Sequence, residues 1–218
     1  MDAVPQGRRR RDRLEAFNRK AIEDAAVAVL SARGRTGLTM DAVAAQAGLS
    51  KGSLYTYYRS KAELLESVKE ASLQPLRDEL AAILEGASPP REKLAAMVER
   101  FLGHFDAHRD FFRVLLWERE LSAAYLQRRK SDKFRALVSR VSGVLAEGER
   151  LGLFKPLDSM KVAAMLLEAC IAMNLERLQS EAPDPVQKDA RLLAEVFLSG
   201  IALDPKPRSR SDLQRSSA

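Results

Sequence analysis

The chain is short of several things, and each shortage narrows its class. It has a single cysteine, Cys170, in 218 residues. No internal disulfide framework is possible, nothing matches Cys/His zinc spacing, and the usage suits a reducing compartment. Long apolar runs are missing too. The best stretch, Val162 to Leu175, is interrupted by Glu168 and Asn174 and falls short of the roughly 20 residues that span a bilayer. The basic run Gly7-Arg8-Arg9-Arg10-Arg11-Asp12-Arg13 leads into an amphipathic stretch and not an apolar signal core, so a cytoplasmic protein is expected. There is no Gly-rich phosphate loop, no G-x-S-x-G and no cysteine beside a plausible base, which argues against an enzyme. His104 and His108 lie one helical turn apart with Asp106 and Asp110 nearby. H-x-x-x-H alone lacks a third converging ligand, so a solvated face is expected there, with neither metal nor cofactor. Strand alternation, Asn-Gly hairpin signals and internal repeats are also absent.

What is present is apolar residue at 46% and charge at 30%, the balance of a soluble globular chain with a real core. The net charge of +6 is unevenly placed. Residues 1–62 carry twelve Lys/Arg against six Asp/Glu, while residues 63–203 carry twenty against twenty-two. The positive field therefore belongs to the N-terminal part, where a polyanion is attracted.

Helical periodicity runs through the chain and predicts an all-α fold of about nine helices. The first helix is expected over about 13–33, with Leu14, Phe17, Ala21, Ala25 and Ala28 on one face, and Gly34 and Gly37 ending it. Thr39 is a good N-cap for a short helix over 40–47, and Ser50 caps a second one through about 57. Between them Gly48 supplies a turn. Ser60-Lys61-Ala62-Glu63 fits a capping box opening a fourth helix, which Pro75 is expected to kink or split. After the break at 86–90, helices are expected over about 91–107, 110–121, 123–151, 158–180 and 184–201. The Pro-, Ser- and Arg-rich stretch 204–218 reads as a disordered tail. Four regions follow: a basic flexible arm (1–12), a helix-turn-helix domain (13–62), a larger helical domain (63–203) and the tail.

The segment from Thr39 to Leu64 carries the strongest signal. Two short helices joined at a glycine turn and packed on a longer one form a helix-turn-helix. The second short helix holds a cation, hydroxyls and tyrosines, with only Leu54 clearly a core residue. A recognition helix needs that balance, because donors must reach base edges and phosphates while an apolar residue anchors it. Gly52 removes a side chain near the helix start, where a DNA backbone can approach closely. A solvated bundle element is the plainer alternative.

Gly37-Leu38-Thr39-Met40-Asp41-Ala42-Val43-Ala44, then Ala47-Gly48-Leu49-Ser50-Lys51-Gly52-Ser53-Leu54-Tyr55-Thr56-Tyr57-Tyr58, then Ser60-Lys61-Ala62-Glu63-Leu64-Leu65 closely resembles the tetracycline-repressor (TetR) family. The family pattern is a threonine opening the second helix, A-G-[VL]-S-x-G-x-[LI]-Y-x-[YH]-F and a following K-x-x-L. Tyr58 departs from it, standing where phenylalanine is usual and adding a hydroxyl that needs a partner. The resemblance covers about residues 14–65. It implies that Thr39, Tyr55 and Lys61 contact phosphates and that Tyr57, on the same exposed side, touches phosphate or a thymine methyl. Lys51 and Ser53 become the base-edge candidates, lysine toward guanine acceptors, and Ser50 and Gly52 complete the DNA-contact set. Val43, Ala47, Leu49 and Leu54 are implied core residues. Arg8 to Arg11 read either as an arm along or into the minor groove or as a merely attractive tail.

The resemblance further implies a homodimer that binds double-stranded operator DNA and senses a small-molecule effector. Val162, Met165, Leu166, Ala169 and Met173 on one late helix, with Leu193, Val196 and Phe197 on the last, are the dimer candidates; the alternative is a monomer core. Met97, Phe101, Phe105, Phe112, Leu116, Trp117, Phe134 and Leu137, with Arg113 nearby, are the candidates for a pocket taking a hydrophobic or amphipathic ligand. Residues of this type also fill ordinary cores. The expected function is a repressor released by its ligand; an activator or a helical protein-binding adaptor are the other readings. Cys170 is expected to pack rather than sense redox state.

Overall fold

The computed structural model describes residues 6–117 and 131–203, with side chains from Arg13 onward except Arg35 and those of 114–117. Among the described residues there are nine helices: α1 (Gln6–Gly37), α2 (Met40–Gln46), α3 (Lys51–Tyr57), α4 (Lys61–Glu85), α5 (Pro90–Ala107), α6 (Arg109–Trp117), α7 (Asp132–Arg150), α8 (Ser159–Gln179) and α9 (Val186–Ile201). Most bounds fall within a few residues of the expected ones, but α1 runs from Gln6 to Gly37 where about 13–33 was expected. The ends of the helices expected over 110–121 and 123–151, and the tail 204–218, lie outside the described residues.

Local chemistry explains most boundaries. Gly34 breaks α1 with φ 63°, a left-handed conformation that costs glycine little. The Thr39 hydroxyl accepts from the Ala42 amide at 3.1 Å and opens α2, and Ser50 accepts from the Ser53 amide at 3.1 Å to open α3. At α4, Ser60 accepts from the Glu63 amide. The return half of the capping box is displaced by one residue, since the Glu63 carboxylate accepts from the Arg59 amide at 2.7 Å. Pro75 does not split α4, which runs unbroken to Glu85.

Two buried clusters organise the molecule, and α4 belongs to both. Its first half, through Leu64, Leu65 and Val68, joins Ile22, Val29, Leu38, Val43 and Leu54 in the head, together with Phe111 and Phe112 of α6 and Leu178 of α8. Its second half, through Leu76, Leu80 and Leu84, packs into the larger core around Leu94, Val98, Leu102, Val141, Leu167 and Cys170. The packing thus changes partners between Val68 and Leu76, and not at the start of α4. Full burial of one such aliphatic side chain contributes about 1.5–3 kcal/mol. Helix α5 is central to the larger core, touching α4, α7, α8 and α9. Leu73 and Phe105 pack against both clusters.

Two expectations need correction here. The buried face of α1 is Ile22, Ala25, Ala26, Val29 and Leu30, while Leu14, Phe17 and Ala28 are exposed, Phe17 to 71%. Residues 6–12, expected as a flexible arm, continue α1 as helix. No helix of the described residues is long and apolar enough to cross a membrane.

Candidate nucleic-acid interface

Helix α3 is held from beneath and open above. Leu54 is its buried anchor, and Tyr58, just past its end, is buried as well. The extra hydroxyl on Tyr58 finds partners: it donates to the Glu23 carboxylate at 2.9 Å and lies 3.1 Å from Ser67 Oγ, which itself bonds the same carboxylate at 2.6 Å. This network ties α1, α3 and α4 together at one point. Burial, aided by Glu23 and opposed by the Ser67 hydrogen bond, raises the Tyr58 hydroxyl above its ordinary pKa. The turn between α2 and α3 is set by Gly48, at φ 68°. There the Leu49 amide reaches back to Ala44 O at 2.9 Å and the Gly48 amide to Ala45 O, satisfying the last carbonyls of α2.

Above the anchor, Lys51, Gly52, Tyr55 and Thr56 are exposed and Ser53 is half-buried. Lys51 is paired with Asp41 of α2, its Nζ 2.8 Å from the carboxylate. That hydrogen bond, and then the charge of Asp41, raise the Lys51 pKa. Ser50 and Ser53 hydroxyls meet at 2.8 Å. A Cβ on Gly52 would meet only Ser50 Oγ at 4.0 Å, so nothing inside the chain demands glycine there. Thr39 sits exposed at the start of α2 and Lys61 half-buried at the start of α4. Thr39 and Ser50 stand exposed at the starts of α2 and α3, which the Lys51–Asp41 pair brings together, and Lys51 and Tyr55 are exposed on α3 itself.

Tyr57 departs from expectation. It is half-buried, and its hydroxyl accepts from Asn18 Nδ2 at 2.8 Å while the Arg19 guanidinium stands 5.9 Å from its ring centre. Its ring braces α3 against α1. Val43 and Leu54 are core residues as read, and Ala47 and Leu49 are half-buried against the same cluster. Sequence reading missed Asn18, Arg19 and Glu23 on α1, which lie more than thirty residues from the tyrosines they hold. The side chains of Arg8 to Arg11 lie outside the described residues.

The ligand candidates split between the cores. Met97 and Phe101 are buried in the larger one, with Phe134 and Leu137 of α7 partly buried against it. Phe112 belongs to the head cluster, and Phe105 bridges, its ring 5.4 Å from Phe101 and 4.4 Å from Phe112. Arg113 is half-buried; the side chains of Leu116 and Trp117 lie outside the described residues. A cavity of about 10 Å³ lies elsewhere, lined by Leu94, Val98, Leu166, Ala194, Phe197, Leu198 and Ile201.

On α8 and α9 the dimer candidates divide by face. Met165 and Val196 are 62% and 63% exposed, and Val162, Ala169, Met173 and Phe197 are half-buried. Leu166 and Leu193 are corrected: both turn inward and fill the protomer's own core. His104 is corrected as well, being buried rather than on a solvated face, whereas His108 is exposed at the α5 C-cap. No group of three possible metal ligands occurs among the described residues. The Cys170 thiol is buried, which pushes its pKa up to about 12 and leaves it a packing residue.

Comparison with known proteins agrees with this geometry. Residues 22–68 match the family described as bacterial regulatory proteins, tetR family, and residues 90–180 match the tetracyclin repressor-like C-terminal domain. The two matches together take in well over half of the chain. An HTH-type transcriptional regulator of Bacillus subtilis, YhgD, is 23% identical over 184 residues, spanning 84% of this chain and 96% of its own length. The HTH-type transcriptional regulator BetI of Agrobacterium fabrum is 34% identical over 128 residues, 57% of this chain and 58% of BetI. A TetR-like transcriptional regulator of Rhodococcus sp. RHA1 superposes with a TM-score of 0.61 at 28% identity, over 91% of this chain and 98% of that one.

Proposed function

The chain belongs to the tetR family of bacterial regulatory proteins and is a DNA-binding regulator, not an enzyme; from that premise we propose that it is a repressor, binding a two-fold operator as a homodimer and released by a small hydrophobic or amphipathic ligand. The observation that carries the DNA reading is α3, anchored by Leu54 and presenting Lys51, Ser53 and Tyr55 outward. Lys51 and Ser53 read base edges, with lysine toward guanine N7 and O6. Thr39, Ser50, Tyr55 and Lys61 fix register on the phosphates, and Gly52 lets the backbone come close. Tyr57 acts mainly as a brace. The head takes in α1 to α3 and the first half of α4, and the larger domain begins in the second half of α4.

One head covers a half-site, so a dimer is what gives useful affinity for a two-fold operator. The exposed Met165 and Val196, with the half-buried Val162, Ala169, Met173 and Phe197, supply an apolar surface on α8 and α9 for the partner protomer. Release follows from the shared packing. Helix α6 touches α1 of the head, and Phe105 of α5 stacks on Phe112 of α6. A ligand wedged among Met97, Phe101, Phe105, Phe112, Phe134 and Leu137, near Arg113, Leu116 and Trp117, moves α6 and with it the head. It thereby favours a state whose two heads no longer match the operator.

The test is binding of the purified protein to its own upstream intergenic DNA across a salt series, beside a Lys51→Ala, Tyr55→Ala variant. Tight binding to a two-fold site, a steep salt slope and a loss of tenfold or more in the variant are expected. Weak binding that is equal on any sequence and unchanged in the variant would remove α3 as the reading element.

A further inference from the structure

Arg177, near the end of α8, is 5% exposed. Burying a guanidinium is costly, and apolar residues of like volume often stabilise an interior as well or better. What the side chain holds accounts for its place. It pairs with the Asp106 carboxylate of α5 and the Asp189 carboxylate of α9. It also donates to the Asp184 carbonyl, in the turn between α8 and α9, at 2.8 Å. The five N–H groups of a guanidinium lie in one rigid plane, so each partner is fixed in direction as well as distance. An aliphatic side chain in its place would hold the same elements by contact alone.

A second arginine grips the same turn. Arg109 opens α6 and donates to the Ser180 carbonyl at the C-cap of α8. The corner between α5 and α6 is thus held on both flanks, at Asp106 and at Arg109, by the end of α8 and the turn that follows it.

That corner carries the head. Just beyond Arg109, Phe111 and Phe112 belong to the head's buried cluster, and Leu178, next to Arg177, joins them there. Helix α6 touches both α1 and α8. The head is therefore joined to the larger domain twice, through the continuous α4 and through a seat made by α6 and Leu178. A single helix leaves a body free to rock about it, and a second seat fixes the tilt. The two arginines tie this seat to α8 and α9, the helices that carry the proposed partner surface.

We infer that Arg177 and Arg109 are positioning residues for DNA binding, which set the tilt of each head against α8 and α9 and so the separation of the two heads across the dimer. A two-fold operator demands a set separation, because its half-sites stand about 34 Å apart or at multiples of that. The inference rests on the homodimer reading above.

The test measures the distance between heads directly and needs no operator. Lys20, 74% exposed on α1, is replaced in the full-length protein (Lys20→Cys) and spin-labelled, while the buried Cys170 stays unlabelled. Pulsed electron spin resonance then gives the head-to-head distance distribution. Arg177→Met and Arg109→Ala are each expected to widen it about twofold or more, since a satisfied buried network is what fixes one arrangement. Lys93→Met breaks a buried pair of the same kind, with Glu147 at 3.0 Å, at the other end of α5. It is expected to leave the distribution as it was. Arg109→Ala removes one hydrogen bond of a half-buried side chain, so the test survives if Arg177→Met fails to fold. An unchanged distribution in the folded, dimeric variants overturns the inference and leaves the dimer standing. Equal widening in Lys93→Met also overturns it, by reducing the arginines to a share of general stability. Sedimentation of the unaltered protein as a monomer overturns the homodimer reading along with it.

Discussion

The head and the larger domain are built on the same aliphatic side chains, but their polar groups are handled differently. In the head, helix starts are capped locally at Thr39, Ser50 and Ser60, and one neutral-to-carboxylate network of Tyr58, Ser67 and Glu23 joins three helices. In the larger domain charged groups are drawn inside and paired across helices. Lys93 of α5 meets Glu147 of α7 at 3.0 Å, and Arg177 of α8 meets Asp106 of α5 and Asp189 of α9. His104 and Asn174 are buried there without full partners. In a body whose buried charges are paired across helices, moving one helix disturbs the partners of another, which is what the proposed ligand release would use.

This contrast can be broken at its strongest point first. Arg177→Ala leaves Asp106 and Asp189 facing one another without their cation. It is expected to cost about 3–5 kcal/mol, read by urea unfolding with circular dichroism. A loss below about 1 kcal/mol would mean that the interior ion pairs contribute no more than surface ones do.

Acid sharpens it next. His104 has its pKa depressed from 6.5 to about 4, so the unfolded chain takes up the proton first and protonation favours unfolding. The sign follows: stability is unaffected above pH 6.5 and declines as pH falls from 6.5 to 4, by about 3 kcal/mol in full. Unfolding measured at pH 7 and pH 4 in the unaltered chain and in His104→Leu checks this. The variant should lose less stability on the acid side, and identical losses would show that the imidazole is not what titrates.

The smallest effect lies in the head. Tyr58→Phe removes one hydroxyl while Ser67 and Glu23 keep their own bond at 2.6 Å, and about 0.5–1.5 kcal/mol is expected. Operator affinity should change less than twofold, because Leu54 still anchors α3. A tenfold fall in affinity with stability preserved would make the Tyr58 network part of DNA reading and not only of packing.

The head was largely legible in the sequence because its information is local. A threonine or serine three residues before the amide it caps, a glycine where φ is positive and an aliphatic residue under a polar helix are visible within a few positions. The failures have equally physical origins. In α1 alanine carries little hydrophobic signal, so the face of Leu14 and Phe17 read as well as the face of Ile22 and Val29. Only contact with α2 and α4 decides between them. Tyr57 looked free because Asn18, its partner, stands 39 residues earlier. Leu166 and Leu193 sit on helices that are apolar around most of their girth, a pattern that cannot distinguish a protomer's interior from a partner's surface. His104 was read with His108, one turn on and exposed, and only the packing of α5 against its surrounding helices separates the two.

The pairing of Lys51 with Asp41 carries a consequence for the proposed reading of DNA. Both side chains are more than half exposed, so the pair is weak and screened by salt. The ammonium has three hydrogens and the carboxylate need take only one. Under that proposal Lys51 would meet a guanine edge with Asp41 still beside it, and the aspartate would aim the lysine rather than compete for it.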